Sequence, residues 1–162
     1  MIDHLIDYIQ AQQRIAVLMV GFGAVLLMSS AALHVYGASE FYAGLRNGLL
    51  GVGMFSVFGG LGYAFNNNRL RRKAEIAYSE NASAWVNAEY QRMLKVVSGN
   101  NRIQTIFIAV AALLIAAMWL VTNRFISGIL LALVVFVSGN TLIERISKPS
   151  INTYFQHLSK SR

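Results

Sequence analysis

His34, Glu40, Tyr42, Arg46 and Arg124 sit at the ends of long apolar runs, near the connections that join them. A histidine and a glutamate within reach of two arginines could do acid–base work on a lipid headgroup. Beside Tyr36, Phe41 and Trp119 the same residues also suit anchoring at a membrane interface, and that is the expectation here. Other catalytic patterns are missing. His4, His34 and His157 fall in different segments, with no pair spaced to ligate a haem within one span and no carboxylates at zinc-ligand spacing. No glycine-rich phosphate loop precedes a helix, no G-x-S-x-G elbow occurs, and the chain has no cysteine. The sequence thus predicts no enzyme activity, no cofactor and no metal.

The elements that must carry these residues are apolar helices. Of the 162 residues, 56% are hydrophobic and 13% charged, the latter about half the share usual in soluble domains. Four stretches, 15–36, 47–65, 103–121 and 125–143, contain no Asp, Glu, Lys or Arg. Each is close to the roughly 20 residues that a helix needs to cross a bilayer core. Only Thr122, Asn123 and Arg124 join the third to the fourth, and a loop over 37–46 joins the first to the second. The expected fold is an all-α integral membrane protein: four transmembrane helices in two antiparallel hairpins, with a cytoplasmic helical hairpin extension.

Orientation follows from charge. Lys and Arg resist translocation and collect on the cytoplasmic side. With four spans, all but two of the 14 Lys and Arg fall on one side, the exceptions being Arg46 and Arg124. Both termini and the central segment are therefore expected in the cytoplasm of a bacterial cell, and the protein in its inner membrane. The net charge of +7 is then a matter of topology, so no nucleic-acid partner is expected. The run Arg69, Arg71, Arg72 and Lys73 suits a stop-transfer anchor that also meets anionic lipid headgroups. A cleaved signal peptide is not expected, because Asp3 and Asp7 precede an apolar run longer than the usual core of about 7–15 residues. The triplet Asn81-Ala82-Ser83 would lie on the cytoplasmic side and is not expected to be glycosylated.

Residues 66–101 contain no proline and set Ile76, Trp85, Met93, Leu94, Val96 and Val97 among charged neighbours. This segment has to double back. The second helix is expected to run to about Tyr78, with a turn at Ser79, Glu80 and Asn81 and a capped helix to Val97, ended by Ser98, Gly99 and Asn100. Pro149 should stop the fourth helix and leave a separate cytoplasmic helix over 150–160. An offset of 88 aligns 1–28 with 89–116 and pairs Arg14-Ile15 with Arg102-Ile103, as two copies of a helix-plus-hairpin unit would.

The glycines carry the signal for close helix contact. At about 100° per residue, Gly44, Gly48, Gly51, Gly59 and Gly62 share an arc of about 80°, interrupted by Phe55, and Gly53, Ser56 and Gly60 form a second small stripe on roughly the opposite side. Small faces let helices approach closely in lipid. With Gly21, Gly23, Ala24, Ser29, Ser30, Ala31 and Ala32 on the first span, the first two helices should pack tightest and the second should be central. The two stripes are the expected interface with neighbouring helices, in the chain or in a partner. No span centre holds an ionisable residue, which argues against a proton-coupled transporter, a voltage sensor or a redox pump. Ser138, Asn140 and Thr141 are expected to bond locally.

In layout, with four spans, cytoplasmic termini and little loop outside, the chain is similar to small bacterial inner-membrane immunity and exclusion proteins. Those protect a cell from pore-forming toxins or conjugative entry. The resemblance implies a non-catalytic protein that engages membrane lipids and another membrane protein or a second copy of itself. An accessory subunit of a secretion-type complex fits the same features. The alternative is an oligomeric channel or small-molecule transporter, gated by apolar constrictions.

Overall fold

The computed structural model describes residues 2–36 and 39–161, and these are helical apart from short connections. Four helices follow one another: α1 (Ile2–Tyr36), α2 (Glu40–Glu80), α3 (Ala82–Leu120) and α4 (Arg124–Lys160). All four are long and apolar enough to cross a membrane. They are also much longer than a crossing needs: the 41 residues of α2 rise about 60 Å, twice the bilayer core.

Short polar side chains set the starts. Ser39, Asn81 and Asn123 each accept a hydrogen bond from the backbone N–H three residues on, those of Tyr42, Ala84 and Ile126, at 3.4, 3.0 and 3.1 Å. Capping of this kind satisfies N–H groups that the first turn leaves without partners. Asn81 also ends α2, its own N–H bonding the Ala77 carbonyl, so the reversal expected at Ser79–Asn81 takes a single residue.

The two expected breaks further along do not occur. Because the chain has already reversed at Asn81, nothing requires a turn at Ser98–Asn100, and α3 continues unbroken to Leu120. Pro149 lies inside α4 rather than at its end. A proline in a helix interior costs about 3 kcal/mol. Here Ile143, Ser147, Ile151, Tyr154 and Leu158 form one buried face across it, at spacings of three and four residues. A break at 149 would swing the last three out of the core. Burying such apolar side chains contributes about 1.5–3 kcal/mol each, enough to hold the helix through the proline.

Contacts give the arrangement. Along α1 and α2, Ser30 meets Arg46, Gly23 meets Gly53, Ala16 meets Gly60 and Gln13 meets Asn68, so the two run in opposite senses. Along α2 and α4, Gly44 meets Phe125, Gly48 meets Ala132 and Phe55 meets Phe136, so these run in the same sense. At the end that carries both termini, the core draws on all four helices: Leu5, Tyr8 and Ile9, then Ala74, Trp85 and Met93, then Ile151, Tyr154 and Leu158. Towards the opposite end the second core, Leu26, Leu49 and Ala132, draws on α1, α2 and α4 alone. In α3 no residue of the most apolar 18-residue stretch is buried, and Trp119 and Leu120 are 88% and 83% exposed. The 88-residue offset therefore joins helices in unlike surroundings: α1 buries residues along its length, whereas α3 buries them only near its start, at Trp85, Glu89 and Met93.

Candidate functional site

The small residues of α2 divide by what they touch. Gly53, Ser56 and Gly60 face α1. A methyl on Gly60 would meet the Ala16 carbonyl at 2.9 Å, one on Gly53 would meet Leu27 Cγ at 3.0 Å and the Gly23 carbonyl at 3.1 Å, and the Ser56 hydroxyl donates to the Met19 carbonyl at 2.9 Å. Gly44 and Gly48 face α4, against Phe125 and Ala132. The remainder of that stripe is open: a methyl on Gly51 or Gly62 would meet nothing within 4 Å, and one on Gly59 would meet only the end of Met19, at 3.8 Å. One stripe is thus filled by α1, and the other is filled by α4 in its first half only.

Two polar clusters lie where α1 and α4 approach the end with the termini. Gln12, 1% exposed, accepts from Tyr63 OH at 2.6 Å and from Ser147 Oγ at 3.3 Å, and donates to Ser150 Oγ at 3.1 Å. It ties three helices together. Gln12→Leu is expected to lower stability by about 1–3 kcal/mol, because the Tyr63 and Ser147 hydroxyls lose their acceptor. Equilibrium unfolding in detergent reads the change, and a shift below a few tenths of a kcal/mol would show that Gln12 only fills space.

The second cluster centres on Glu89, 6% exposed. Arg92 donates to both its carboxylate oxygens, Nε to Oε2 at 2.7 Å and Nη2 to Oε1 at 2.6 Å, and Tyr154 OH donates to Oε1 at 3.1 Å. The Tyr154 ring stacks on Tyr8 with centroids 4.7 Å apart. Burial pushes the Tyr8 phenol above its ordinary value, and burial together with the Glu89 charge and hydrogen bond does the same to Tyr154. Burial alone would lower the Arg92 value, but the hydrogen bonds and charge of Glu89 outweigh it and hold the guanidinium charged. A tyrosine whose folded pKa lies above its unfolded value of about 10 adds stability that is fully present below pH 10 and lost as pH rises through the folded value. Thermal stability is therefore expected to stay level from neutrality to about pH 10 and to fall above it, less steeply in Tyr8→Phe. An unchanged alkaline limb in Tyr8→Phe would remove Tyr8 from the account.

The expected outer cluster shrinks to one contact. Arg46 Nη1 donates to His34 Nδ1 at 2.8 Å, which leaves the ring proton on Nε2. Among the described residues Glu40 and Arg124 join neither of them. His4 and His157, which the sequence leaves in separate segments, stack at 4.0 Å. Of the basic run, Arg71 pairs with Glu75 at 2.9 Å on the surface, while Arg69 and Arg72 flank a shallow pocket of about 350 Å³ beside Phe65 and Asn68. Asn140 and Thr141 bond back to the carbonyls four residues earlier, at 2.8 Å each. Among the described residues no group of three or more His, Asp or Glu is placed to hold a metal ion.

Sequence reasoning did not single out Gln12, Glu89, Arg92 or Glu144. The i, i+3 spacing of Glu89 and Arg92 was a visible signal for an ion pair. Glu144, the first charge after the fourth apolar run, lines a cleft of about 690 Å³ between α3 and the other helices. Comparison of the chain with protein-family models, with curated proteins and with solved structures gives no match.

Proposed function

We propose that the chain is a four-span protein of the bacterial inner membrane, with both termini and the 66–101 segment in the cytoplasm. It works without catalysis, by helix–helix association with another membrane protein. An immunity or exclusion role against a membrane-active toxin and an accessory role in a secretion-type complex both use that mode. The observation that supports this reading is the open part of the glycine stripe on α2. Glycine in a helix costs about 1 kcal/mol relative to alanine, and small residues gain nothing against lipid tails. Internal packing accounts for Gly44, Gly48, Gly53 and Gly60 but not for Gly51 and Gly62, where an added methyl would meet nothing in the chain within 4 Å. A neighbouring helix seated there would account for them.

The test is affinity purification of the intact protein from its native membrane in mild detergent, with mass determination of the complex. A stoichiometric second chain is expected. Gly51→Leu and Gly62→Leu should remove it while leaving helicity and the elution of the protein itself unchanged. Gly48→Leu does not serve, because Gly48 packs against Ala132 and Ile129 within the chain. A bare monomer would sink the proposal. A pure homo-oligomer that conducts in planar bilayers would replace it with the channel reading.

A further inference from the structure

We infer that the cleft between α3 and the other three helices binds one phospholipid whose headgroup carries both a phosphate and an ammonium group, Lys95 meeting the phosphate and Glu144 the ammonium. This rests on the membrane reading given above. The cleft, at about 690 Å³, is within the range of sites that enclose small molecules. Its lining changes character along its length. Lys95, Asn100, Glu144 and Ser147 stand towards the end with the termini, and Phe107 and Phe136 stand further along the same two helices. The order runs up the numbering in α3 and down it in α4, and Val121–Asn123 join the far ends, so the charged residues of both walls stand at one end of the cleft and the phenylalanines at the other. A lipid of the cytoplasmic leaflet has that order.

The headgroup class follows from the two charges. Glu144 Oε2 is buried and has no hydrogen-bond partner, and Glu144 pairs with no Lys or Arg among the described residues. A carboxylate so placed either takes up a proton, which burial favours by raising its pKa, or is joined by a cation. Lys95, exposed at the same end of the cleft, pairs with no carboxylate among the described residues and is free to meet an anion there. An anionic headgroup would answer Lys95 but repel Glu144, and an uncharged guest would answer neither. A zwitterion answers both. The long side of the cleft is open to incoming acyl chains, since the apolar stretch of α3 buries no residue in the chain.

The full chain, purified in mild detergent and stripped of lipid, is mixed with phosphatidylethanolamine and with phosphatidylglycerol of matched acyl chains, and native mass spectrometry reads the bound fraction. One phosphatidylethanolamine per chain is expected, preferred about tenfold over phosphatidylglycerol, a preference worth about 1.4 kcal/mol. Glu144→Gln should abolish the preference and Glu144→Asp should keep it. Equal or tighter binding of phosphatidylglycerol, or an unchanged preference in Glu144→Gln, overturns the inference. A second measurement needs no variant: phosphatidylethanolamine with a photoreactive acyl chain should label wild-type protein around Phe107 and Phe136. Label spread evenly over exposed positions such as Val25 and Phe58 overturns it too. Failure of the membrane reading is separate and visible first, as recovery of the protein in the soluble fraction of a cell extract.

Discussion

Gly128→Ala is expected to lower stability by about 3 kcal/mol or more, the upper part of the range for overpacking, although it adds one methyl group. That methyl would meet the Phe41 carbonyl oxygen, the Leu45 nitrogen and the Gly44 carbonyl carbon, all of them backbone atoms of α2. Side chains can turn aside, but a helix backbone can only move as a whole. The α2–α4 interface would have to open along Gly44, Gly48, Ile129 and Ala132. Gly44→Ala meets the Phe125 backbone from the other side and should cost a similar amount. Gly51→Ala and Gly62→Ala meet nothing, and in the purified single chain they should be neutral or stabilising by up to about 1 kcal/mol. Denaturant titration of the four variants in one detergent makes the comparison. Equal effects at Gly128 and Gly51 would refute the close contact of α2 with α4.

Arg92→Ala carries the other large effect, about 3–5 kcal/mol, because it strands a carboxylate that is only 6% exposed. Glu89 would keep one neutral donor, Tyr154 OH, in place of a two-point guanidinium contact. Arg92→Lys retains the charge without the fork and should fall between wild type and alanine. The double variant Glu89→Gln, Arg92→Met removes both charges while leaving Tyr154 an acceptor, and should recover more than half of the loss. The damage should be local to the end with the termini, where Trp85 and Met93 share the core with Tyr154. Trp85 is buried there, so the red shift of its emission on unfolding, read in a Trp119→Phe background, reports this end. A loss below about 1 kcal/mol for Arg92→Ala would mean that Glu89 is hydrated or protonated, and would refute the buried ion pair.

Much of the candidate site was open to sequence reasoning because it depends on residue type alone. The two faces of α2 follow from helical periodicity, and Gly53, Ser56 and Gly60 do lie together against α1. Which glycines are filled does not follow from periodicity. Gly44, Gly51 and Gly62 share one face, yet only an added methyl at Gly44 meets a neighbour, because the α4 backbone comes against α2 near Phe125, while further along the contact is between the side chains of Phe55 and Phe136. Pro149 shows the same limit for secondary structure: the local penalty of a proline is readable in the chain, and the buried face of Ile143, Ser147, Ile151, Tyr154 and Leu158 that overrides it is a tertiary property.

Four helices long and apolar enough to cross a membrane, the reversal at Asn81 and the tight contact of α1 with α2 were all legible in the residue order. Each of these rests on short-range physics: hydropathy over a turn or more of helix, a side chain capping its own backbone, and the absence of a Cβ. It took the folded arrangement to bring Gln12 to Tyr63 and Ser147, to bring Glu89 to Tyr154, and to leave a cleft beside Glu144 between α3 and the other helices. Those pairings join residues far apart in the chain through the rotation and spacing of whole helices. Rotation and spacing are set by the sum of many small contacts, and no single segment encodes them.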